Sequence, residues 1–240
     1  MSKKLKILNV FGMRPATTGQ SAGMDFFIPK FNGMEKSNTV LEAYEKSYGF
    51  TQDFMKDIID RIMLQVSAEY GPEYAENNEL NFLQLYIGLD SSILFQKDYS
   101  ALDRNVELFV EDYLVFDDKK TPGICLALND HIKFNSGIKV ALDKNYCAIF
   151  FNKSGKGTKG LDVRACVIDE DYSGYVHMSM AYTKDNETDG IIYCGDKLVQ
   201  LIVLPVEHTE PEEISEEDYN KIMDKSERGD SGFGSSDVKH

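Results

Sequence analysis

Five short stretches of the sequence set polar or charged side chains among small residues or beside apolar runs, where each has two readings. In Ser21-Ala22-Gly23-Met24-Asp25-Phe26-Phe27-Ile28-Pro29 an acid opens a strand after small residues, which by itself suits a turn-capping aspartate and leaves a functional carboxylate as the other reading. In Asn152-Lys153-Ser154-Gly155-Lys156-Gly157-Thr158-Lys159-Gly160 the glycines let backbone N–H groups approach an anion. Ser154 and the lysines there can bond phosphate oxygens. The order is not that of a Walker A loop, and a flexible hairpin turn would have the same composition. In Val167-Ile168-Asp169-Glu170-Asp171-Tyr172-Ser173-Gly174 three acids suit a solvated turn, yet Asp169 directly follows an apolar pair and could be held in a cleft as a base. In Gly195-Asp196-Lys197-Leu198-Val199-Gln200-Leu201, Gln200 interrupts an apolar strand; it faces outward by alternation or needs a hydrogen-bonding partner. In Arg228-Gly229-Asp230-Ser231-Gly232-Phe233-Gly234-Ser235-Ser236 an aromatic stands between glycines with no core to join. It closes over a flat ligand or belongs to a disordered tail.

The elements that must position these stretches fall into three regions. Residues 1–35 read as a strand (Leu5 to Phe11), a turn-rich stretch and a second strand (Met24 to Ile28). Residues 36–119 read as helical. Thr51 is a candidate N-cap, Phe54, Ile58, Ile62 and Val66 recur every four residues, and Gly71-Pro72 stops that helix. A second helical pattern covers roughly Glu79 to Leu94, and a third sets Leu102, Val106, Phe109 and Tyr113 on one face. The three patterns can bury apolar surface among themselves, so they read as a subdomain sitting on the β core. Residues 120–206 change to period two, in runs such as Cys147 to Phe151 and Leu198 to Val203, and suggest a sandwich or barrel. From Glu207 the chain is acidic, and its Gly/Ser-rich end, about 227–240, reads as a mobile tail.

The 240 residues are 42% hydrophobic and 28% charged, enough to bury a core, with a formal net charge of −14. That charge argues against a general nucleic-acid binder and against docking on an anionic membrane. It leaves room for a small polyanionic ligand, which needs only local positive charge. Cys125, Cys147, Cys166 and Cys194 form no C-x-x-C pair and have apolar neighbours, so buried free thiols are expected. Leu201 to Val206 is too short an apolar run to span a bilayer, and the basic start, Met1 to Lys6, has no long apolar segment behind it; the expectation is a cytoplasmic protein.

In this order the five stretches resemble the five motifs of the trimeric dUTP diphosphatase (dUTPase) family, and of its long, phage-like form: A-G-x-D-L, P-R-S-G-L, G-V-I-D-x-D-Y-x-G, G-D-x-x-x-Q-L and R-G-x-x-G-F-G-S-T. The third and fifth are the specific ones. The resemblance covers residues 1–35 and 120–240 and implies a jelly-roll β-barrel, with 36–119 as a helical insertion. It implies hydrolysis of dUTP to dUMP and pyrophosphate by a magnesium-dependent homotrimer. Asp169 would be the general base and Tyr172 would lie against the deoxyribose, excluding a 2′-hydroxyl. Lys153, Ser154, Gly155, Gln200 and Arg228 would hold phosphates, and Asp25 would orient magnesium through water. Phe233 would stack on uracil beside Gly234, with Ser235 and Ser236 on the terminal phosphate. Backbone around Leu161 to Cys166, Val163 included, would read the uracil edge.

The chain departs from the family where Asn152-Lys153 replaces Pro-Arg, where Lys156 replaces an apolar residue, and where Ser236-Asp237 replaces Thr-Gly. A dCTP deaminase, which shares the fold, would carry an arginine and a catalytic glutamate where this chain has Thr158 and Ser179. The rival from another class is a regulatory, protein-binding module on the same scaffold, with residues 36–119 as the partner surface.

Overall fold

The structure is a computed structural model that describes residues 5–17, 19–33, 37–89, 99–185 and 190–224. Residues 1–206 form one compact unit and 207–240 another.

The sheet that matters most is built from β2 (Met24–Phe27), β12 (Lys197–Pro205), β7 (Tyr146–Asn152) and β9 (Val167–Ile168), all antiparallel and in the order β2-β12-β7-β9. Alternation assigns its two faces. Phe26, Phe150, Ala148, Leu201 and Ile168 point inward and are buried, with the Phe26 and Phe150 rings edge to face at 5.3 Å. The outward positions fall in rows. Asp25, Gln200 and Phe151 share one, Ile202 and Ile149 the next with Val167 beside Ile149, and Leu204 and Cys147 a third. Phe151, Val167 and Leu204 are exposed on that face.

Three smaller sheets complete the β framework. β5 (His131–Asn135), β10 (His177–Tyr182) and β8 (Leu161–Ala165) form one, in the order β5-β10-β8. β3 (Leu114–Phe116), β4 (Pro122–Cys125) and β11 (Ile191–Tyr193) form another, with β4 central, and β1 (Lys6–Asn9) pairs with β6 (Ile138–Ala141).

The helices are α1 (Ser37–Tyr48), α2 (Gln52–Tyr70), α3 (Pro72–Gly88) and α4 (Leu102–Leu108), which runs on into a π-helical turn over Phe109–Tyr113. Thr51 caps α2 by accepting from the Phe54 N–H at 3.2 Å. Gly71 ends α2, and Pro72 opens α3, seven residues before the Glu79 start that periodicity marks. The apolar spacing of Pro72 to Asn78 is too sparse to signal a helix, whereas every residue from Leu80 to Leu89 is buried.

These helices bury apolar surface among themselves and against the β core alike. α3 runs through the core, which is a single cluster containing Val40, Ile58, Leu83, Phe109, Phe134 and Leu201 together. Asn81 in α3 is fully buried and bonds both backbone groups of Phe31, and Gln84 donates to the Pro29 carbonyl at 2.5 Å. Tyr48 of α1 covers the outer edge of β5, donating to the Lys133 carbonyl and accepting from the Asn135 N–H. β3, which falls inside 36–119, is a strand of the β4 sheet. The boundary at residue 119 therefore cuts through a sheet.

Of the four cysteines, all free, only Cys194 is buried; Cys125, Cys147 and Cys166 are half-buried. No helix among the described residues is long and apolar enough to cross a membrane. In the second unit, α6 (Glu216–Met223) forms inside the acidic stretch, with Ser215 accepting from the Asp218 N–H. Acids in its first turn and a Glu217–Lys221 pair favour that helix.

Candidate functional site

Asp25 is a buried acid held between two lysines. It sits in β2 with only 7% of its surface exposed. Its Oδ1 accepts from Lys153 Nζ at 2.5 Å, and its Oδ2 lies 3.0 Å from Lys197 Nζ. Burial acts to raise the Asp25 carboxyl, but the bonds from Lys153 and Lys197 outweigh it and hold the group below its ordinary value. Next to it in register is Gln200, whose Nε2 donates to Ser21 Oγ at 3.1 Å. Gly23 makes that approach feasible: a Cβ there would lie 2.5 Å from Gln200 Cγ and 2.8 Å from the Leu201 carbonyl oxygen.

Lys153 leads into Ser154, and the stretch read as an anion-binding glycine segment or a flexible hairpin turn contains a short helical turn, α5 (Ser154–Thr158). Thr158 Oγ1 donates to the Ser154 carbonyl, and Lys156 reaches Asp196 at 2.8 Å. Small residues close this turn without crowding, and Ser154 and Gly155 are exposed at its start. Asn152, at the end of β7, fastens the turn to β8. Its Oδ1 accepts from the Val163 N–H at 2.8 Å, and its Nδ2 donates to Asp162 at 2.8 Å. The Val163 N–H, an expected ligand donor, is thus already bonded within the chain.

Asp169 and Tyr172 lie elsewhere. β9 is the edge strand opposite β2, and Ile168 pairs with Ala148, so Asp169 stands near the level of Cys147. From there to the Asp25 row is three strand spacings across and four residues along, roughly 20 Å over the sheet. Val167, expected to be buried, is exposed, and Asp169 is exposed too; no cleft among the described residues encloses it. Tyr172 is exposed as well, its hydroxyl donating to the Tyr175 carbonyl at 2.8 Å over Gly174, where a Cβ would sit 2.4 Å from that oxygen. Arg228, Phe233, Gly234, Ser235 and Ser236 lie outside the described residues.

Residues 120–237 match the family model described as dUTPase. Over those residues, just under half of the chain, the sequence is similar to the dUTPase family. The deoxyuridine 5′-triphosphate nucleotidohydrolase of rabbitpox virus is 32% identical over 87 residues, covering 36% of this chain and 54% of that protein. The monkeypox virus protein of the same name is 32% identical over 87 residues, or 52% of its length. The chain thus spans about half the length of the curated relatives it matches. Among solved structures, a mutant of the Staphylococcus bacteriophage 80alpha dUTPase with dUpNHpp superposes with a TM-score of 0.51 at 13% identity, covering 98% of this chain and 99% of that one. That likeness extends over the helices as well as the strands, so the fold is that of a β-rich dUTPase with added helices.

Within a dUTPase frame, the single chain brings the first, second and fourth motifs together and leaves the third at the far edge of the same sheet. Two polar groups of the site escaped sequence reasoning. Lys197 lies inside the fourth motif, but only the β2–β12 pairing carries its ammonium to Asp25. Asn152 counted as a departure from the family, and the structure makes it the tie between α5 and β8. Among the described residues no three His, Cys, Asp or Glu gather as a metal site. The role implied for Asp25, orienting a hydrated magnesium ion, does not fit a carboxylate whose two oxygens are both taken by lysines.

Proposed function

We propose that the protein hydrolyses dUTP to dUMP and pyrophosphate as a homotrimer. The observation that carries this reading is the clustering of Lys153 and Lys197 on Asp25, with Gln200 beside Asp25 on the neighbouring strand and Ser154 next to Lys153 at the start of α5, a polar and cationic cradle on an otherwise strongly acidic protein. Its chemistry suits a triphosphate, whose charge must be neutralised before a nucleophile can approach.

Asp169 takes a proton from water as that water attacks the α-phosphorus. The bond from that phosphorus to the bridging oxygen of the β-phosphate breaks, and pyrophosphate leaves. Tyr172 packs against the deoxyribose. Phe233 closes on uracil, with Gly234, Ser235, Ser236 and Arg228 on the sugar-phosphate side. Magnesium, the family's metal, would arrive on the substrate's phosphate oxygens and supply charge neutralisation there.

Separation within the chain supports a site shared between copies, and the trimer is the assembly that the family resemblance implies. Asp169 stands roughly 20 Å from the cradle of its own chain, so its partner cradle belongs to another copy. Phe151, Val167 and Leu204 give the outer sheet face apolar surface for such a copy to cover. Residues 36–119 remain a candidate surface for a protein partner, with Leu64 of α2 exposed at 78%.

The test is pyrophosphate release from each deoxynucleoside triphosphate and from UTP. dUTP should turn over fastest and UTP far more slowly. Equal rates on dUTP and UTP would remove Tyr172 from its role, and no release from dUTP would remove the function.

A further inference from the structure

The Asp25 cluster points away from the metal-orienting role that the family implies for this acid. Both carboxylate oxygens are bonded to ammonium groups, Oδ1 to Lys153 at 2.5 Å and Oδ2 to Lys197 at 3.0 Å. The side chains are graded in depth: Asp25 is 10% exposed, Lys153 27% and Lys197 43%. The acid therefore lies behind and the two cations in front, on the side a solute reaches first. One negative and two positive charges leave the cluster with a net +1. A hydrated divalent cation brought up to Asp25 would meet two like charges at contact range.

We propose that Asp25 is a positioning residue in this chain, holding Lys153 and Lys197 as a two-ammonium cradle for the nucleotide's phosphates. The inference rests on the dUTP reading of the same site. An ammonium carries three donors, and the bond to Asp25 uses one, which leaves donors to turn toward phosphate oxygens. Lysine suits this task better than the bidentate arginine the family has at position 153, because it bonds the acid and the phosphate as a point charge with rotatable donors. The neighbours agree in placement: Ser154 follows Lys153 directly, and Gln200 pairs with Asp25 across β2 and β12. Lys156, within the turn, is bonded to Asp196. Asp25 thus orders the lysines before the substrate arrives, and phosphate affinity depends on them whether or not metal is present.

The experiment is calorimetric titration of the full-length protein with a non-hydrolysable imido analogue of dUTP, once with excess EDTA and once with magnesium. The proteins are wild type, Asp25→Asn, Lys153→Met and Lys197→Met, each checked for folding by circular dichroism. Asp25→Asn should weaken binding in EDTA by roughly 10-fold or more, the scale of a lost charge-assisted bond, and by a similar factor with magnesium. Each lysine variant should also lose roughly 10-fold in EDTA. An Asp25→Asn protein that binds within about twofold of wild type in EDTA, yet loses affinity with magnesium, marks a metal-orienting acid and overturns the proposal. If Asp25→Asn does not fold, the lysine variants decide, since both keep the acid. Wild-type affinity in EDTA from both lysine variants overturns the cradle, as does wild-type binding that vanishes in EDTA. If wild type binds no deoxyuridine nucleotide in either buffer, the dUTP reading itself has failed.

Discussion

Replacing Asn81 by Leu should show that α3 is a structural member of the β core. The side chain is fully buried and of similar size to leucine, so the change removes hydrogen bonds with little change in packing. Its Oδ1 accepts from the Phe31 N–H at 2.9 Å, and its Nδ2 donates to the Phe31 carbonyl at 2.8 Å and to Asn78 at 3.0 Å. In the variant both backbone groups of Phe31, itself buried, lose their partner, at about 1–3 kcal/mol each. Leucine recovers part of this through its apolar surface, so the net loss should be roughly 2–5 kcal/mol. For a chain of this length that lowers the melting temperature by roughly 4–20 °C. Chemical and thermal denaturation measure it, with Asn78→Ala as the control that spares both Phe31 bonds and removes only the third bond and Asn78's own bond to the Tyr74 carbonyl, at about 1 kcal/mol. A loss below about 1 kcal/mol for Asn81→Leu would refute the reasoning. It would mean that the segment after β2 is not anchored by α3.

His177 should impose a pH dependence on stability. Burial first, then the charge of Lys133, lowers its imidazole to about 4 from 6.5, against the opposing bond to the Tyr175 carbonyl. Between those values the unfolded chain binds a proton that the native chain refuses, so stability should fall by roughly 3 kcal/mol as pH drops from 6.5 to 4; His177→Gln should flatten that slope, and an unchanged slope would reject the assignment. Asp169→Asn should cut dUTP turnover by roughly 10²–10⁴-fold with a much smaller change in substrate binding, read by steady-state kinetics and titration. Truncation before Arg228 should nearly abolish turnover while leaving the oligomer intact by size-exclusion chromatography. Mixed trimers of truncated and Asp169→Asn chains should regain part of the activity, and no recovery would argue against tails and bases acting across subunits.

Much of this protein is set by short-range pattern. The five motifs are contiguous stretches, and the caps at Thr51 and Gly71 act within a turn of their own helices, so the sequence displays them directly. The runs from Cys147 to Phe151 and from Leu198 to Val203 carry the alternation of half-buried strands and lie within β7 and β12. What the sequence alone left undecided depends on pairing between distant segments. The ten buried residues from Leu80 to Leu89 make α3 a core element, and periodicity cannot tell a core helix from one in a separate subdomain, because either needs an apolar surface. Lys153 and Asp25 are far apart in sequence, and only the shared pairing of β2 and β7 with β12 brings their charges together. The same register carries Asp169 away from them, to the opposite edge of the sheet. Residue type and spacing therefore nominate the candidate groups, while strand order, a property of long-range hydrogen bonding, decided which of them one chain can bring into contact.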